Sequence, residues 1–299
     1  MRYVLLGGGG VLGSGFREAF RRERADVTRV SPSWREPDTV VNELRSQVPA
    51  LLTGEGPVTV VWAAGVGSIG ASPELLRTES AGVQALCDGI AGLPAERRAG
   101  LSVLFASSAG ALFGGAGSAL VHEDSTPQPV TAYGREKLAQ EQVLRRLVEE
   151  TGCRVVVCRI SNLYGLAQER LTARGLVATA VRATRLRQPM IVYVSPDTRR
   201  DYIYNVDAAA VSLRLLGTAP PGWSQSLVRD GTTRTVSSIL SLVGDVSGRR
   251  VPASYAERPE TRLQPAVLRF VPPAQGPLEV RRTPMEVAVH LMVNAPLGL

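Results

Sequence analysis

The clearest sign of chemistry in this sequence is the spacing of one tyrosine and one lysine. The stretch TAYGREKLAQEQ, residues 131 to 142, contains Tyr133 and, four residues later, Lys137. Every other position among the 34 Lys and Arg residues is an arginine, so Lys137 is the single lysine of the chain. On a helix, side chains at i and i+4 share a face. The pattern therefore predicts a phenol and an ammonium side by side.

This pair suits acid–base catalysis. A phenol, with a pKa of about 10, is a poor catalyst at neutral pH, but a nearby ammonium stabilises the phenolate and lowers that pKa. Lysine suits the place because its ammonium is compact and donates to hydroxyl groups, whereas the planar guanidinium of arginine needs more space. A Tyr-x-x-x-Lys pattern also arises by chance on helices, and the uniqueness of Lys137 is what favours a functional pair.

Five short apolar runs supply the framework that must position the pair. They are RYVLLGG, DVTRV, VTVVWAAG, LSVLFASSAG and CRVVVCRISNLYG, and segments with helical spacing lie between most of them. Runs that are apolar throughout are typical of a parallel sheet covered on both faces. The sequence therefore predicts an α/β fold with a Rossmann-type, doubly wound parallel sheet. Because ligands bind such sheets beyond the carboxyl ends of the strands, the residues after each run are candidate site residues.

A glycine-rich turn follows the first run. LLGGGGVLGSG has the spacing G-x-x-G-x-x-G between a predicted strand and a predicted helix. Glycine permits a positive φ and lets backbone N–H groups approach a pyrophosphate at the positive end of the helix. Glycine also occurs in ordinary strand-to-helix turns, but this context predicts dinucleotide binding. The predicted cofactor-binding residues of this turn, of the end of the third run and of the helical pair are Gly7, Gly10, Val11, Leu12, Gly13, Ala63, Ala64, Gly65, Tyr133 and Lys137.

The end of the second run indicates which dinucleotide binds. A carboxylate at this point binds the ribose hydroxyls of NAD. Here Ser31 occupies the position, and Ser33 and Arg35 follow. Hydroxyls and a guanidinium would bind a 2′-phosphate that a carboxylate would repel, so the sequence favours NADP(H), with NAD(H) as the alternative. Arg35 is also consistent with an ordinary surface residue. In either case the positive charge of an oxidised nicotinamide would further lower the pKa of Tyr133.

The predicted domains follow from the change of pattern after residue 165. Residues 1–165 form the dinucleotide-binding domain, and residues 197–217 return to it. Residues 166–196 and 218–299 form a smaller substrate-binding cap, whose last forty residues contain many prolines and are predicted to be irregular.

Composition excludes several other classes of protein. The net charge of +7 and the pI near 9.8 come from scattered arginines with only 5% aromatic residues, so we expect no nucleic-acid partner. No apolar run is long enough to span a bilayer. The N-terminus superficially resembles a signal peptide, but it is crowded with glycine and has no A-x-A-like cleavage site, so we expect a cytoplasmic protein without a membrane partner. Three cysteines and two histidines without metal-like spacing predict neither disulfides nor a metal site.

Taken together, the glycine-rich turn, FASSAG and Tyr133-x-x-x-Lys137 resemble the short-chain dehydrogenase/reductase superfamily. CRISNLYG and RRDYIYNVDAAA resemble its extended branch, which contains nucleotide-sugar epimerases, dehydratases and ketoreductases. The resemblance covers nearly the whole chain to about residue 250. It implies a nucleotide-diphosphate sugar as substrate and a homodimer formed through helices around residues 82–92 and 133–150.

The resemblance also implies roles for individual residues. Ser108, with Ser107 as the second choice, would hold the substrate oxygen, Tyr133 would be the general acid or base, and Lys137 would tune it and bind the ribose. Asn162 and Arg200 would approach the nucleotide diphosphate, since arginine forms charge-assisted bonds to phosphate. The alternative for Arg200 is a salt bridge with a neighbouring aspartate, either Asp201 or Asp207.

The sequence departs from the extended branch at several positions. Ala109 and Gly110 replace the Asp-Glu pair of the dehydratases, so dehydration is not expected. Glu79 replaces an asparagine, and the segment between Ser31 and VWAAG is short enough to lack one strand. Ser31 and the compact length favour an NADP(H)-dependent nucleotide-sugar 4-ketoreductase. The alternatives are an NAD-dependent 4-epimerase and a non-catalytic dinucleotide-binding regulator.

Overall fold

A six-stranded parallel sheet forms the centre of the fold. The computed structural model describes residues 1–34, 36–52, 56–65, 68, 70–117, 120–168, 170–172, 175–257, 265–271 and 280–297. The strands are β1 (Arg2–Leu6), β2 (Asp26–Val30), β3 (Val58–Trp62), β4 (Leu101–Ser108), β5 (Leu120–Val121), β6 (Arg154–Ile160), β7 (Asn162–Tyr164), β8 (Met190–Val192), β9 (Arg199–Tyr204), β10 (Trp223–Val228), β11 (Thr233–Thr235), β12 (Ala253–Tyr255) and β13 (Arg269–Phe270). The helices are α1 (Val11–Glu23), α2 (Pro37–Leu52), α3 (Pro73–Ala91), α4 (Ala95–Arg98), α5 (Ala109–Leu112), α6 (Ala132–Thr151), α7 (Leu176–Leu186), α8 (Asn205–Thr218), α9 (Val236–Ser247) and α10 (Met285–Asn294).

The sheet has the order β10-β6-β4-β3-β1-β2, with all pairs parallel. Successive strand residues face opposite sides, so an apolar strand contributes to two cores. In β3, Trp62 packs with α2, α3 and α6, whereas Val61 packs with α1 and α8. This arrangement confirms the predicted doubly wound sheet, and it brings the carboxyl ends of β1, β3, β4 and β6 together at one edge.

The segment between β2 and β3 is short, as predicted. Of the residues described between them, the regular structure is α2 alone, and the chain returns from it to pair β3 with β1. β2 is therefore the edge strand of the sheet. The sequence predicted that one strand is missing from this segment, and the residues described there contain no strand.

A second core lies in the C-terminal part of the chain. It is built from α7, α9 and α10 with β8 and β12, and Val181, Ile239 and Val289 are completely buried in it. α10 is a regular helix where the sequence predicted irregular structure, since its buried face packs against α7 and α9.

The predicted domain boundary at residue 218 requires a correction. β10 pairs with β6 over six residues and is the outer strand of the central sheet, not part of the cap. In the segment predicted to return to the first domain, α8 lies against α1, but β9 belongs to a separate sheet with β7 and β11. No helix in the described part of the chain combines the length and the apolar character needed to cross a membrane.

Candidate active site

Tyr133 lies in the first turn of α6. The helix begins with a cap in which the Thr131 hydroxyl accepts the Gly134 N–H at 3.1 Å. Gly134 allows the turn to press against α5, because a Cβ there would lie 2.3 Å from the carbonyl oxygen of Ala111. The close approach of these two helices brings Tyr133 to the carboxyl end of β4.

Ser108 is the last residue of β4 and the N-cap of the short helix α5. Its hydroxyl accepts the Ala111 N–H at 3.3 Å, and its interaction with the Tyr133 phenol lowers the pKa of that group. The structure therefore brings the predicted serine and tyrosine together, at the sheet edge where a parallel sheet binds its ligand.

Lys137 is buried, and its ammonium has three acceptors. It forms an ion pair of 2.6 Å with Glu79 Oε1, and the side chains of Lys137 and Glu79 are 5% and 1% exposed. It also donates to Gln140 Oε1 at 3.1 Å and to the Ala106 carbonyl at 3.4 Å. Its nitrogen lies 6.0 Å from the centre of the Tyr133 ring. To donate to the ribose of a cofactor, as predicted, Lys137 would have to give up one of these three hydrogen bonds.

The pKa of Tyr133 is raised above its ordinary value. Burial raises it, Lys137 lowers it, Glu79 raises it, and the hydrogen bond with Ser108 lowers it. Lys137 thus lowers the pKa of Tyr133, the predicted direction, but burial and Glu79 together raise this pKa by more. For Lys137, burial lowers the pKa, but Glu79, Tyr133 and Glu141 outweigh this effect and the net shift is upward.

The glycine-rich turn has the shape that a dinucleotide requires. Gly7 has a φ of +86°, and a Cβ there would lie 2.4 Å from Ala64 Cα. A Cβ at Gly13 would lie 2.1 Å from the Gly7 carbonyl oxygen, so this turn, α1 and the end of β3 pack together only with glycine. Among the described residues, no side chain caps the N-terminus of α1, where Val11 and Leu12 lie. The first-turn N–H groups therefore suit a pyrophosphate.

Gln168 covers this turn from the C-terminal half of the chain. Its backbone N–H donates to the Ser14 hydroxyl at 2.7 Å. Its side-chain nitrogen would lie 2.7 Å from a Cβ at Gly9. Asn205 supports the same loop by donating to the carbonyl groups of Val11 and Leu166 at 2.8 and 3.1 Å. These contacts enclose one side of the predicted pyrophosphate site.

A carboxylate of α2 that the sequence did not indicate lies next to the residues that follow β2. The Ser33 N–H donates to Glu43 Oε2 of α2 at 2.7 Å. Ser31 is exposed directly after β2, and the predicted contact Arg35 lies outside the described residues. The predicted 2′-phosphate site therefore has a negative charge beside Ser33.

Asn162 and Arg200 line one cavity of about 430 Å³. Asn162 lies on β7, and its Oδ1 would be 3.5 Å from a Cβ at Gly110, which places it next to the turn after Ser108. The Arg200 guanidinium donates to the carbonyl groups of Arg199, Pro265 and Ala266.

Neither aspartate considered as a partner for Arg200 fills that role. Asp201 accepts the Ser161 hydroxyl and two backbone N–H groups, and Asp207 accepts from Thr283. Arg200 is therefore bonded to backbone oxygens at the cavity wall.

The model of the NAD dependent epimerase/dehydratase family matches residues 3–224, about three quarters of the chain. The chain belongs to this family. The predicted membership in the extended short-chain dehydrogenase/reductases is thereby confirmed, and the protein is an enzyme of that group.

Individual relatives agree with this assignment. UDP-glucose 4-epimerase of Azospirillum brasilense is 31% identical over 54% of this chain and 51% of its own length. dTDP-4-dehydro-6-deoxyglucose reductase of Escherichia coli is 30% identical over 35% of this chain and 33% of its own. The match with the epimerase thus spans about half the length of that relative, and the match with the reductase about a third. The structure of Thermus thermophilus UDP-glucose 4-epimerase, a complex with NAD, has a TM-score of 0.78 over 98% of both chains at 20% identity, which shows the same fold.

In this epimerase/dehydratase-family chain, Ser107 has a structural partner in place of the predicted substrate. Its hydroxyl donates to Glu141 Oε1 at 2.6 Å, and Ser107 is 5% exposed. Arg159 binds the same carboxylate in a bidentate pair at 3.2 and 2.7 Å. Of the two neighbouring serines, Ser108 is the one that reaches Tyr133.

Nucleophilic thiols and metal sites are not found among the described residues. The three cysteines are buried and free, and burial raises the pKa of Cys87 and of Cys158 to about 12 and that of Cys153 to about 11. The described part of the chain has no group of three metal-binding side chains.

Sequence reasoning missed three contributors to the site. Glu141 follows Lys137 by four residues, so its place on the buried face of α6 could have been read from the helical period. Glu43 and Gln168 reach the cofactor site from segments distant in sequence, and no local pattern marks them.

Proposed function

We propose that this protein is an NAD-dependent nucleotide-sugar 4-epimerase. The observation that carries the proposal is that Ser108 and Tyr133 lie together at the sheet edge. The turn after Ser108 lies next to Asn162, which lines the same cavity as Arg200. A 4-epimerase is also the activity named for the Azospirillum relative. The alternative considered from the sequence is thus favoured over the ketoreductase.

Ser108 and Tyr133 have different roles in the proposed reaction. Ser108 holds the sugar C4 oxygen, and Tyr133 accepts its proton while the bond from C4 to hydrogen breaks. When bound, the nicotinamide supplies the hydride acceptor and returns the hydride. Tyr133 then returns the proton to the same oxygen, after the ketone has presented its other face. Because one residue removes and restores the proton, the cycle needs no net exchange with solvent.

Two contacts support NAD as the cofactor. The Glu43 carboxylate, bound to the Ser33 N–H, would repel a 2′-phosphate at the end of β2. Gln168 covers the glycine-rich turn, which favours a cofactor that stays bound between turnovers. Retention suits an epimerase, since the cofactor is regenerated in every cycle.

The second candidate function is reduction of a 4-keto nucleotide sugar with NADPH. Ser31 stands where a ribose-binding carboxylate is expected, and the side-chain Cδ atoms of Arg29 and Arg17 would lie 3.6 and 3.7 Å from a Cβ at Gly8 in the glycine-rich turn. These cations would accommodate a 2′-phosphate near that turn. The reductase relative of Escherichia coli agrees with this candidate over a third of the chain.

Identification of the retained nucleotide tests the choice. The purified protein is denatured, the released nucleotide is identified, and the protein is separately incubated with UDP-glucose to detect its C4 epimer. Near-stoichiometric NAD⁺ and epimer formation are the expected results. An empty or NADP(H)-containing site, with NADPH consumed on a 4-keto nucleotide sugar, would establish the reductase instead. Tyr133→Phe is the control for both assays.

We also propose a homodimer through α3 and α6, the helices predicted for this role. The two helices are neighbours, joined by the Lys137–Glu79 ion pair and by the Ser80 hydroxyl, which donates to Glu136 at 2.6 Å. Sedimentation at micromolar concentration should give twice the mass of the chain, and a monomeric mass would contradict this proposal.

A further inference from the structure

Glu79 connects the acid–base pair to the cofactor-binding edge of the sheet. One of its oxygens binds the Lys137 ammonium at 2.6 Å. Its other oxygen would lie 3.2 Å from a Cβ at Gly65, the residue that ends the predicted cofactor segment after β3. The carboxylate is 1% exposed, so its charge acts on its neighbours with little screening by water.

The charge balance around Tyr133 depends on this carboxylate. Among the described residues, the charged groups that act on Tyr133 are Lys137 of α6 and Glu79 of α3. Glu141 acts on Lys137 from the same helix, but Arg159 of β6 neutralises it in a buried bidentate pair. Glu79 is therefore the group that offsets the ammonium.

We propose that Glu79 is a positioning residue that holds Lys137 and supplies the counter-charge to its ammonium beside Tyr133. The proposal deepens the proposed function, since it concerns the residue that carries out the acid–base step there. With Glu79 in place, the lysine and the carboxylate form a neutral pair beside the phenol. Tyr133 keeps its proton until the cofactor or substrate supplies further positive charge or hydrogen bonds.

The lysine network explains why the ammonium stays in place. Gln140 accepts from Lys137 and donates through its amide nitrogen to Ser80 at 3.1 Å, and Ser80 donates to Glu136. This chain of bonds ties α6 to α3 on both sides of Lys137. Removal of the Glu79 charge therefore leaves the ammonium near Tyr133, without its counter-charge.

The test is the ionisation of Tyr133 itself. The protein is labelled at the tyrosine Cζ with ¹³C, and the Tyr133 resonance is assigned by its loss in Tyr133→Phe. Wild type, Glu79→Gln, Glu79→Asn and Glu79→Asp are titrated at the same nucleotide content. Glu149→Gln is the control, since it removes an exposed carboxylate from the far end of the same helix α6.

The expected result is a shift of the Tyr133 midpoint to lower pH in Glu79→Gln and Glu79→Asn. Glu79→Asp, which keeps the charge, and Glu149→Gln should titrate close to wild type. Equal midpoints in wild type and Glu79→Gln would overturn the proposal. In wild type freed of nucleotide, a midpoint below that of an ordinary tyrosine, about 10, would also overturn it, and this measurement does not depend on the folding of any variant.

Activity gives a second readout that separates the two proposals. If phenolate is needed to begin the reaction, the acidic limb of the kcat profile moves to lower pH in Glu79→Gln. A shifted resonance in a protein that does not epimerise sugars would support the role of Glu79 and contradict the 4-epimerase. Epimerisation by wild type together with an unchanged Tyr133 midpoint in Glu79→Gln would support the 4-epimerase and contradict the role of Glu79.

Discussion

The hydroxyls of Ser107 and Ser108, adjacent residues at the end of β4, have different partners. Ser107 donates to the buried carboxylate of Glu141, whereas Ser108 meets the Tyr133 side chain. The difference arises because Ser107 still lies within β4 beneath α6, whereas Ser108 ends the strand and caps α5 at the sheet edge, where the first turn of α6 lies. One serine therefore belongs to the packing beneath α6, and the other faces the predicted ligand.

Replacement of each serine by alanine should separate these roles. Ser108→Ala is expected to lower kcat for sugar epimerisation by roughly a hundredfold or more, since the hydroxyl that orients the sugar oxygen is lost. Ser107→Ala should keep kcat and KM within about threefold of wild type, because its hydroxyl serves Glu141. Steady-state kinetics of the two variants with UDP-glucose make the comparison. Comparable loss in both would contradict the assignment.

Replacement of Tyr133 by phenylalanine should stop the chemistry and spare binding. The ring and its packing remain, but the proton acceptor is gone, so kcat is expected to fall by about 10²–10⁴-fold. Calorimetric titration with NAD⁺ should give an affinity close to wild type. Unchanged turnover would remove Tyr133 from the mechanism, and the chain would then act through another group or by binding alone.

The sheet and the acid–base pair could be predicted because their signals are local. β3 is buried at all five positions and therefore appears as an uninterrupted apolar run. Tyr133 and Lys137 are four residues apart on α6, so their common face follows from the helical period. The same reasoning placed Gly7 and Gly13, whose lack of a side chain is required by contacts within a few residues and with the end of β3.

Partners that are distant in sequence could not be predicted in this way. Glu79 and Lys137 are 58 residues apart, and nothing near Glu79 indicates a buried ammonium. The sequence predicted that β10 lies in the cap with the rest of residues 218–299. Its residues WSQSLV, four of which are only half-buried, lack the continuous apolar run of the inner strands. Its pairing with β6 depends on where the preceding helix α8 returns the chain, and that is set by packing against α1.

The pair of Glu141 and Arg159 should contribute strongly to stability. Both side chains are 4% exposed, and the variant Glu141→Gln leaves the Arg159 charge buried without its counter-charge. The free energy of unfolding should fall by about 3–5 kcal/mol. The control is Asp88→Asn, whose carboxylate meets Arg45 at 3.9 Å on the surface and should cost less than about 1 kcal/mol. Urea denaturation measures both, and equal losses would contradict the argument.

Removal of the Glu43 charge should change the cofactor preference. Glu43→Gln is expected to raise the affinity for NADP⁺ relative to NAD⁺ by about fivefold or more, since a negative charge beside Ser33 is lost. Ser31→Asp should act in the opposite direction. Asp38→Asn, an exposed carboxylate of the same helix, is the control and should leave the ratio unchanged. Calorimetric titration with both dinucleotides measures the ratio, and an unchanged ratio in Glu43→Gln would place the 2′ position elsewhere.

Arg200 should affect the binding of the nucleotide diphosphate more than the chemical step. The guanidinium lies at the wall of the cavity that Asn162 also lines, and a charge-assisted bond to phosphate would add to binding in both the ground state and the transition state. Arg200→Met is therefore expected to raise KM for UDP-glucose by about 10- to 100-fold with little change in kcat.

The neighbouring arginine provides the matched control for this prediction. Arg199 precedes Arg200 on β9, is exposed, and points to the opposite side of the strand by the two-residue period. Arg199→Met removes the same charge from the same strand, so a general loss of positive potential would affect both variants equally. An increase in KM confined to Arg200→Met assigns the effect to the cavity, whereas equal increases would show that Arg200 makes no direct contact with the substrate.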